Sequence, residues 1–112
     1  MYKDLLGVKY TPHGRNKGEG FDCYGLAIEV FRRNGIVLED FILNPKEGKW
    51  NTIKIDNLEK LCIIEIEKGN KYHIAVYIGD GLMIHATEKF GVCIEPVYRY
   101  SAWIRRYSKL IY

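Results

Sequence analysis

Residues 61–97 read LCIIEIEKGNKYHIAVYIGDGLMIHATEKFGVCIEPV, and the fold class follows from how this stretch is punctuated. Four runs rich in β-branched and aromatic residues, LCIIEIE, YHIAVYI, LMIHAT and VCIEPV, are separated by the short, glycine-bearing segments KGN, GDG and EKFG. Such runs broken by tight turns predict an antiparallel meander of four strands. Downstream, VYRYSAWIRRYSKLIY mixes aromatic residues with Arg and Lys, and its ending RRYSKLIY predicts one strand more. Upstream, Leu26, Ala27, Val30 and Phe31 recur at helical spacing, behind Asp22 as a good N-cap and ahead of Asn34-Gly35 as a good stop. A helix over 23–34 is predicted. The segment TPHGRNKGEG at 11–20 reads as a loop, and 36–60, with Pro45 and Gly48, as loop with one short helical turn near Asn57 to Lys60. The order is helix first and a sheet of about five strands second, an α+β domain.

From a length of 112 residues the expectation is one compact domain, 1–112, with nothing appended. Hydrophobic residues at 47% and charged residues at 28% are the mix of an ordinary globular domain and not of a disordered chain. Lys+Arg 17 against Asp+Glu 14 leaves +3, too small an excess to require a nucleic acid or an anionic lipid as partner. No run approaches the roughly 18 apolar residues of a membrane span. Residues 1–10, MYKDLLGVKY, lack the apolar core of a signal peptide, so the chain is expected to be cytoplasmic as synthesised. Cys23, Cys62 and Cys93 are odd in number and widely spaced, which indicates neither a disulfide framework nor a CxxC metal motif.

Of these thiols, Cys23 stands at the start of the predicted helix, where unpaired backbone N–H groups and the positive end of the macrodipole stabilise an anion. A nucleophilic cysteine also needs an imidazole within reach. His73 and His85 lie on neighbouring predicted strands joined by Gly79-Asp80-Gly81, and the register of that hairpin decides whether they share a face. With Asp80-Gly81 alone as the turn, Gly79 pairs with Leu82, Val76 with His85, and the histidines point to opposite faces. With all three residues in the loop, Ile78 pairs with Leu82 and Ala75 with His85. The histidines then become diagonal neighbours about 7 to 8 Å apart, separated by a small alanine. In that case the chain holds a generalised triad of nucleophile, base and orienting group in the order Cys23, His73, His85.

The pattern of Tyr10, then Gly20-Phe21-Asp22-Cys23-Tyr24-Gly25-Leu26, Asn34-Gly35-Ile36, His73 to Gly81, and Met83-Ile84-His85-Ala86 resembles the NlpC/P60 family of papain-like cysteine peptidases. The resemblance covers nearly the whole chain. It implies a helix packed on an antiparallel sheet, with Cys23 as nucleophile, His73 as general base, His85 as third polar residue and Tyr10 as oxyanion or substrate contact. Asp22 is implied to help hold the free amino end of a substrate peptide. The implied activity is hydrolysis of amide bonds in bacterial cell-wall stem peptides, commonly beside a γ-linked D-glutamate, through a thioester and without cofactor or metal. Two departures stand out. The family's Asp-Cys-Ser-Gly is Asp22-Cys23-Tyr24-Gly25 here, and its Gly-Asp-Leu before the histidine strand is replaced by Glu59-Lys60-Leu61-Cys62. A bulky aromatic after the cysteine resembles the phage and prophage tail subset, which implies tail proteins as partners and delivery to the wall with a particle.

Other readings compete. The chain could act chiefly as a binding module of a phage tail. A zinc site from Cys23, His73, His85 and Cys93 would need ligand spacings this chain lacks. Tyr98, Tyr100, Trp103, Arg105, Arg106 and Tyr107 resemble a stacking-plus-phosphate surface, against which stand strand aromatics with solvated arginines. Cys62 and Cys93, inside apolar runs, read as core residues, and His13 as solvated.

Overall fold

The computed structural model describes residues 1–43 and 49–111. A two-stranded ribbon, β1 (Arg15–Asn16) and β2 (Gly20–Phe21), leads into helix α1 (Cys23–Arg33), followed by six strands: β3 (Thr52–Ile55), β4 (Ile63–Lys68), β5 (Lys71–Gly79), β6 (Leu82–Thr87), β7 (Gly91–Pro96) and β8 (Ile104–Leu110). The six form one sheet in the order β3-β8-β4-β5-β6-β7. The class is α+β, as expected; the sheet has one strand more than the sequence suggested, and the segment 11–20, read as a loop, carries β1 and the start of β2 because its glycines let the chain fold back on itself.

The chain forms two compact units, Met1–Trp50 with His85–Cys93, and Asn51–Ile84 with Ile94–Tyr112. In the first unit, α1 starts where Asp22, extended at φ −92°, accepts the Gly25 N–H on its side chain. It ends in a Schellman arrangement. Gly35 has φ +80°; its N–H reaches Arg32 O at 3.0 Å, and that of Ile36 reaches Phe31 O at 3.0 Å. Leu26, Ala27, Val30 and Phe31 are all at 1% exposure or less, so the apolar stripe read from the sequence is the buried face. Burying each of the larger three contributes about 1.5–3 kcal/mol, which outweighs anything helix propensity supplies to 11 residues. Leu5, Phe21 and Val92 are the unit's other fully buried large apolar residues. Val92 exchanges backbone hydrogen bonds with Gly7 and Val8.

In the second unit, β4 and β5 form a hairpin from Lys68 opposite Lys71 to Ile63 opposite Val76. Strand β8 runs antiparallel to β4 on its other side, and β3 pairs with β8 from Thr52 opposite Leu110 to Ile55 opposite Tyr107. Ile64, Ile66, Ala75, Met83 and Val97 form a core cluster, with Tyr77, Tyr100, Trp103, Ile104 and Tyr107 packed against it.

Three further expectations need correction. No helical turn forms at Asn57 to Lys60: the chain makes a turn in which Cys62 N–H donates to Glu59 O at 2.9 Å, and it meets β5 directly after, with Leu61 N–H donating to Tyr77 O at 2.8 Å and Tyr77 N–H to Cys62 O at 2.9 Å. Leu61 turns the chain in the left-handed region at φ +68°. Upstream of it, the segment read as loop contains β3. At the β5–β6 hairpin, both proposed alternatives are half right. Asp80 (φ +55°) and Gly81 (φ +76°) make a two-residue turn that closes Gly79 on Leu82. A bulge at Ile78 then shifts the strands, so that Tyr77 faces Met83 and Val76 faces Ile84. That is the register of the three-residue alternative.

Candidate active site

The first unit assembles the surroundings of Cys23 from a glycine-rich loop laid against the start of α1. Tyr10 bridges to Phe21. Thr11 N–H donates to Phe21 O, and Phe21 N–H to Lys9 O, both at 3.1 Å. Three glycines let backbone meet backbone here: a Cβ on Gly25 would strike the Gly14 carbonyl, and one on Gly14 would strike that of Gly20. The loop is thereby seated on the first turn of the helix.

Asp22 is the hub of this arrangement. It is 8% exposed, and its Oδ1 accepts from Gly25 N–H at 2.7 Å and from Arg15 Nη1 at 2.7 Å, while Oδ2 accepts from His13 N–H at 3.0 Å. Arg15 extends the network, donating from Nε to Asp40 Oδ2 at 2.6 Å and from Nη1 to the Gly14 carbonyl at 2.8 Å. Burial works against the Asp40 anion, but the Arg15 hydrogen bond and the backbone N–H of Leu43 hold its carboxyl below the usual carboxylate range. Burial likewise opposes the Arg15 charge and is outweighed by Asp40 and Asp22, which raise its pKa.

Cys23 is the first residue of α1 and is half-buried. Its thiol therefore sits at the positive end of the helix, where an anion is favoured. The Tyr10 hydroxyl lies within its field: burial, then the charges of Cys23, Asp22 and Glu88, push the phenol pKa up. Tyr10 is accordingly a neutral donor at physiological pH, the form that can stabilise an oxyanion. On the helix side, Tyr24 meets Phe41 edge-on with centroids 5.4 Å apart and Trp50 at 5.8 Å, and Phe41 meets Trp50 at 5.3 Å.

The remaining predicted residues divide between the units. His85, on β6, is 1% exposed and belongs to the first unit with Tyr10, Asp22 and Cys23. One of its ring nitrogens and Cys93 Sγ lie within 4.8 Å of each other. His73 belongs to the second unit, half-buried on β5 opposite Ile66 of β4. Strand alternation puts it on the face of Ala75 and the core cluster.

Cys62 is fully buried, and burial pushes its thiol pKa up, as suits a core residue. Cys93 is only half-buried, because it lies on the less covered stretch of β7 rather than in the core. His13 is exposed, but its backbone N–H serves Asp22. The C-terminal aromatic and basic cluster divides: Tyr100, Trp103 and Tyr107 pack on the core, Tyr98 is exposed, and Arg105 and Arg106 pair with Glu67 at 2.8 Å, on the surface, and Glu65 at 3.1 Å.

With this geometry in place, comparison with known proteins finds that the model of the NlpC/P60 family matches residues 7–111. The chain belongs to the NlpC/P60 family. It is 34% identical over 94% of its length to the γ-DL-glutamyl hydrolase of Bacillus subtilis (strain 168), of which it covers 26%. It is 30% identical over 97% of its length to the murein DD-endopeptidase MepS/murein LD-carboxypeptidase of Escherichia coli (strain K12), of which it covers 57%. Among solved structures, an NlpC/P60 family protein from Bacillus cereus ATCC 10987 superposes with a TM-score of 0.72 at 26% identity, covering 98% of this chain and 38% of that one. The chain thus spans about a quarter to just over half of the curated relatives it matches. Membership of the NlpC/P60 family agrees with the motif order read from the sequence. Sequence reading missed Arg15, Asp40, Phe41 and Trp50. The one available signal was an arginine in a loop otherwise made of small and polar residues.

Proposed function

We propose that this chain is a single NlpC/P60 catalytic domain that hydrolyses amide bonds in bacterial cell-wall stem peptides. The observation that carries this reading is Cys23 on the first position of a capped helix, with the neutral Tyr10 hydroxyl in its field. The names of the relatives, a γ-glutamyl hydrolase and a murein peptidase, support the substrate class. The β5–β6 register, with Val76 opposite Ile84, supports a Cys23, His73, His85 triad, since it is the alternative under which the sequence reading put the two strand histidines on one face.

In this mechanism His73 takes the Cys23 proton and the thiolate attacks the amide carbonyl. The resulting oxyanion is met by the Cys23 backbone N–H and the Tyr10 hydroxyl. Collapse expels the amine, which leaves with the proton held by His73, and a thioester remains. Water, deprotonated by His73, cleaves the thioester to a carboxylic acid and restores the thiol. His85 orients His73 through its distal nitrogen. The alternative role as a phage-tail binding module rests on the Tyr24 substitution alone.

Digestion of purified muropeptides, followed by chromatography and mass spectrometry, tests the proposal. The parent chain releases new amine and carboxyl termini, Cys23→Ala releases none, and His73→Ala retains a trace, with unchanged circular dichroism in both. Undiminished cleavage by both variants contradicts it.

A further inference from the structure

Strand β8 loses its outer neighbour part-way along. β3 pairs with it only from Leu110 to Tyr107, so that among the described residues no strand lies beside Ile104–Arg106 on that side. A cavity of about 330 Å³ occupies the gap, and Lys54, Asp56, Ser101, Ile104, Arg105 and Arg106 are among the residues that line it. The charge here is collected by a bulge. Glu65 faces Arg106 and Ile66 faces Ile104, which leaves Arg105 as the extra residue of β8. Consecutive strand residues ordinarily point to opposite faces, yet Arg105 and Arg106 reach Glu67 and Glu65, which alternate along β4 and so share a face. Lys54 stands opposite Ser108, the next residue but one after Arg106, and lies on that same face. Neither arginine is used up by its glutamate. The Arg105–Glu67 pair is 63% and 44% exposed, the kind of ion pair that contributes little and exchanges readily. Glu65 already accepts from the Tyr72 hydroxyl at 2.7 Å and from Ser108 Oγ at 2.9 Å. Arg106 Nε stands 3.1 Å from Glu65 Oε2 but is buried without a hydrogen-bond partner. Glu65 therefore balances the Arg106 charge without satisfying that donor.

Lys54, Arg105 and Arg106 against the carboxylate of Asp56 give the cavity an excess of positive charge, which selects an anion. The open edge of β8 offers main-chain hydrogen-bonding groups that suit an extended peptide. Cationic side chains keep neutral and basic strands off such an edge, and by the same charge they favour an acidic one. Stacked bases find less here, since Tyr100 and Trp103 pack on the core. We propose that this notch docks an extended acidic peptide, which adds as a strand beside Ile104–Arg106 in line with β3 and places its carboxylates on Lys54, Arg105 and Arg106. The notch shares no residue with Cys23, His73 and His85, so this binding stands apart from the hydrolase reading and goes beyond it.

The test titrates the whole chain, followed by amide NMR and fluorescence anisotropy, with a short end-capped peptide alternating glutamate and threonine, the same peptide with lysine for glutamate, an oligothymidylate, and free glutarate. The glutamate peptide is expected to shift the amides of Ile104, Arg105 and Arg106 and to bind about fivefold or more tightly than the lysine peptide, with the difference shrinking as salt is raised. Lys54→Gln combined with Arg105→Gln weakens that binding by about fivefold or more with unchanged circular dichroism. Lys54→Gln alone, at an exposed position, gives part of the loss. Equal binding of the two peptides, tighter binding of the oligothymidylate, the same amide shifts from glutarate alone, or no binding at all overturns the proposal. The parent chain's choice among the probes decides the matter even if the double variant fails to fold. None of these outcomes bears on cleavage of muropeptides, so the hydrolase reading stands or falls by its own assay.

Discussion

Asp22 does at least two jobs at the scale of a single side chain: it caps α1 and it neutralises Arg15. Asp22→Ala therefore loses a cap and leaves a guanidinium short of a partner in a partly buried site, and we expect a loss of about 3 kcal/mol in urea unfolding. Tyr10→Phe removes a donor and no packing volume. It is expected to lower kcat on the order of 10²-fold with an unchanged unfolding midpoint, and an unchanged kcat would remove Tyr10 from the mechanism. Asp40 gives a pH prediction. Its folded pKa lies below the unfolded value of about 3.9, so its stabilising contribution is complete well above that value and is lost as pH falls through it toward the folded pKa. Asp40→Asn should flatten that acid limb of the stability curve and leave neutral stability lower. Asp22 and Cys23 were legible in the sequence because capping and helix-start chemistry act over three or four residues. The Arg15–Asp40 pair was not, because its partners are 25 residues apart and only the folded chain joins them.

Elements show the same division between local and distant causes. Helix α1 was read to within a residue, since its cap, stripe and stop are all in its own sequence. Strand β3 was missed. It has four residues, and its Ile53 is exposed, so neither length nor alternation announced it, and its partner β8 lies more than fifty residues on. The β5–β6 register could be narrowed to two alternatives but not decided, because the bulge at Ile78 has no signature of its own. At this scale the glycine seat of the loop is the feature most open to test. Gly25→Ala keeps helix propensity, yet drives a methyl group into the Gly14 carbonyl. We expect a loss of about 2–3 kcal/mol. Gly69→Ala, in open space on the β4–β5 turn at φ +64°, should cost only about 1 kcal/mol through backbone strain. Equal effects in thermal melts would contradict the close approach.

Across the whole molecule, the helix-then-sheet order, the four-stranded meander and the late fifth strand were all present in the pattern of apolar runs. The division into two units was not, because β6 and β7 each pass from one unit into the other and no boundary in composition marks the crossing. That threading predicts cooperativity: neither unit keeps its strands if the other unfolds. Trp50 belongs to the first unit and Trp103 to the second. Single-tryptophan variants, Trp103→Phe and Trp50→Phe, should give fluorescence midpoints in urea that coincide with each other and with far-ultraviolet circular dichroism. Separated midpoints would mean two independently folding bodies. The central claim, that Cys23 is an activated nucleophile served by His73, is tested most directly without any substrate. Alkylation of each thiol by iodoacetamide is followed against pH, with Cys23, Cys62 and Cys93 distinguished by peptide mapping. The account predicts that Cys23 alone reacts rapidly at about pH 6.5, well below the ordinary cysteine pKa of about 8.5, and slows in His73→Ala. A Cys23 no faster than Cys93, or one indifferent to His73→Ala, would contradict it.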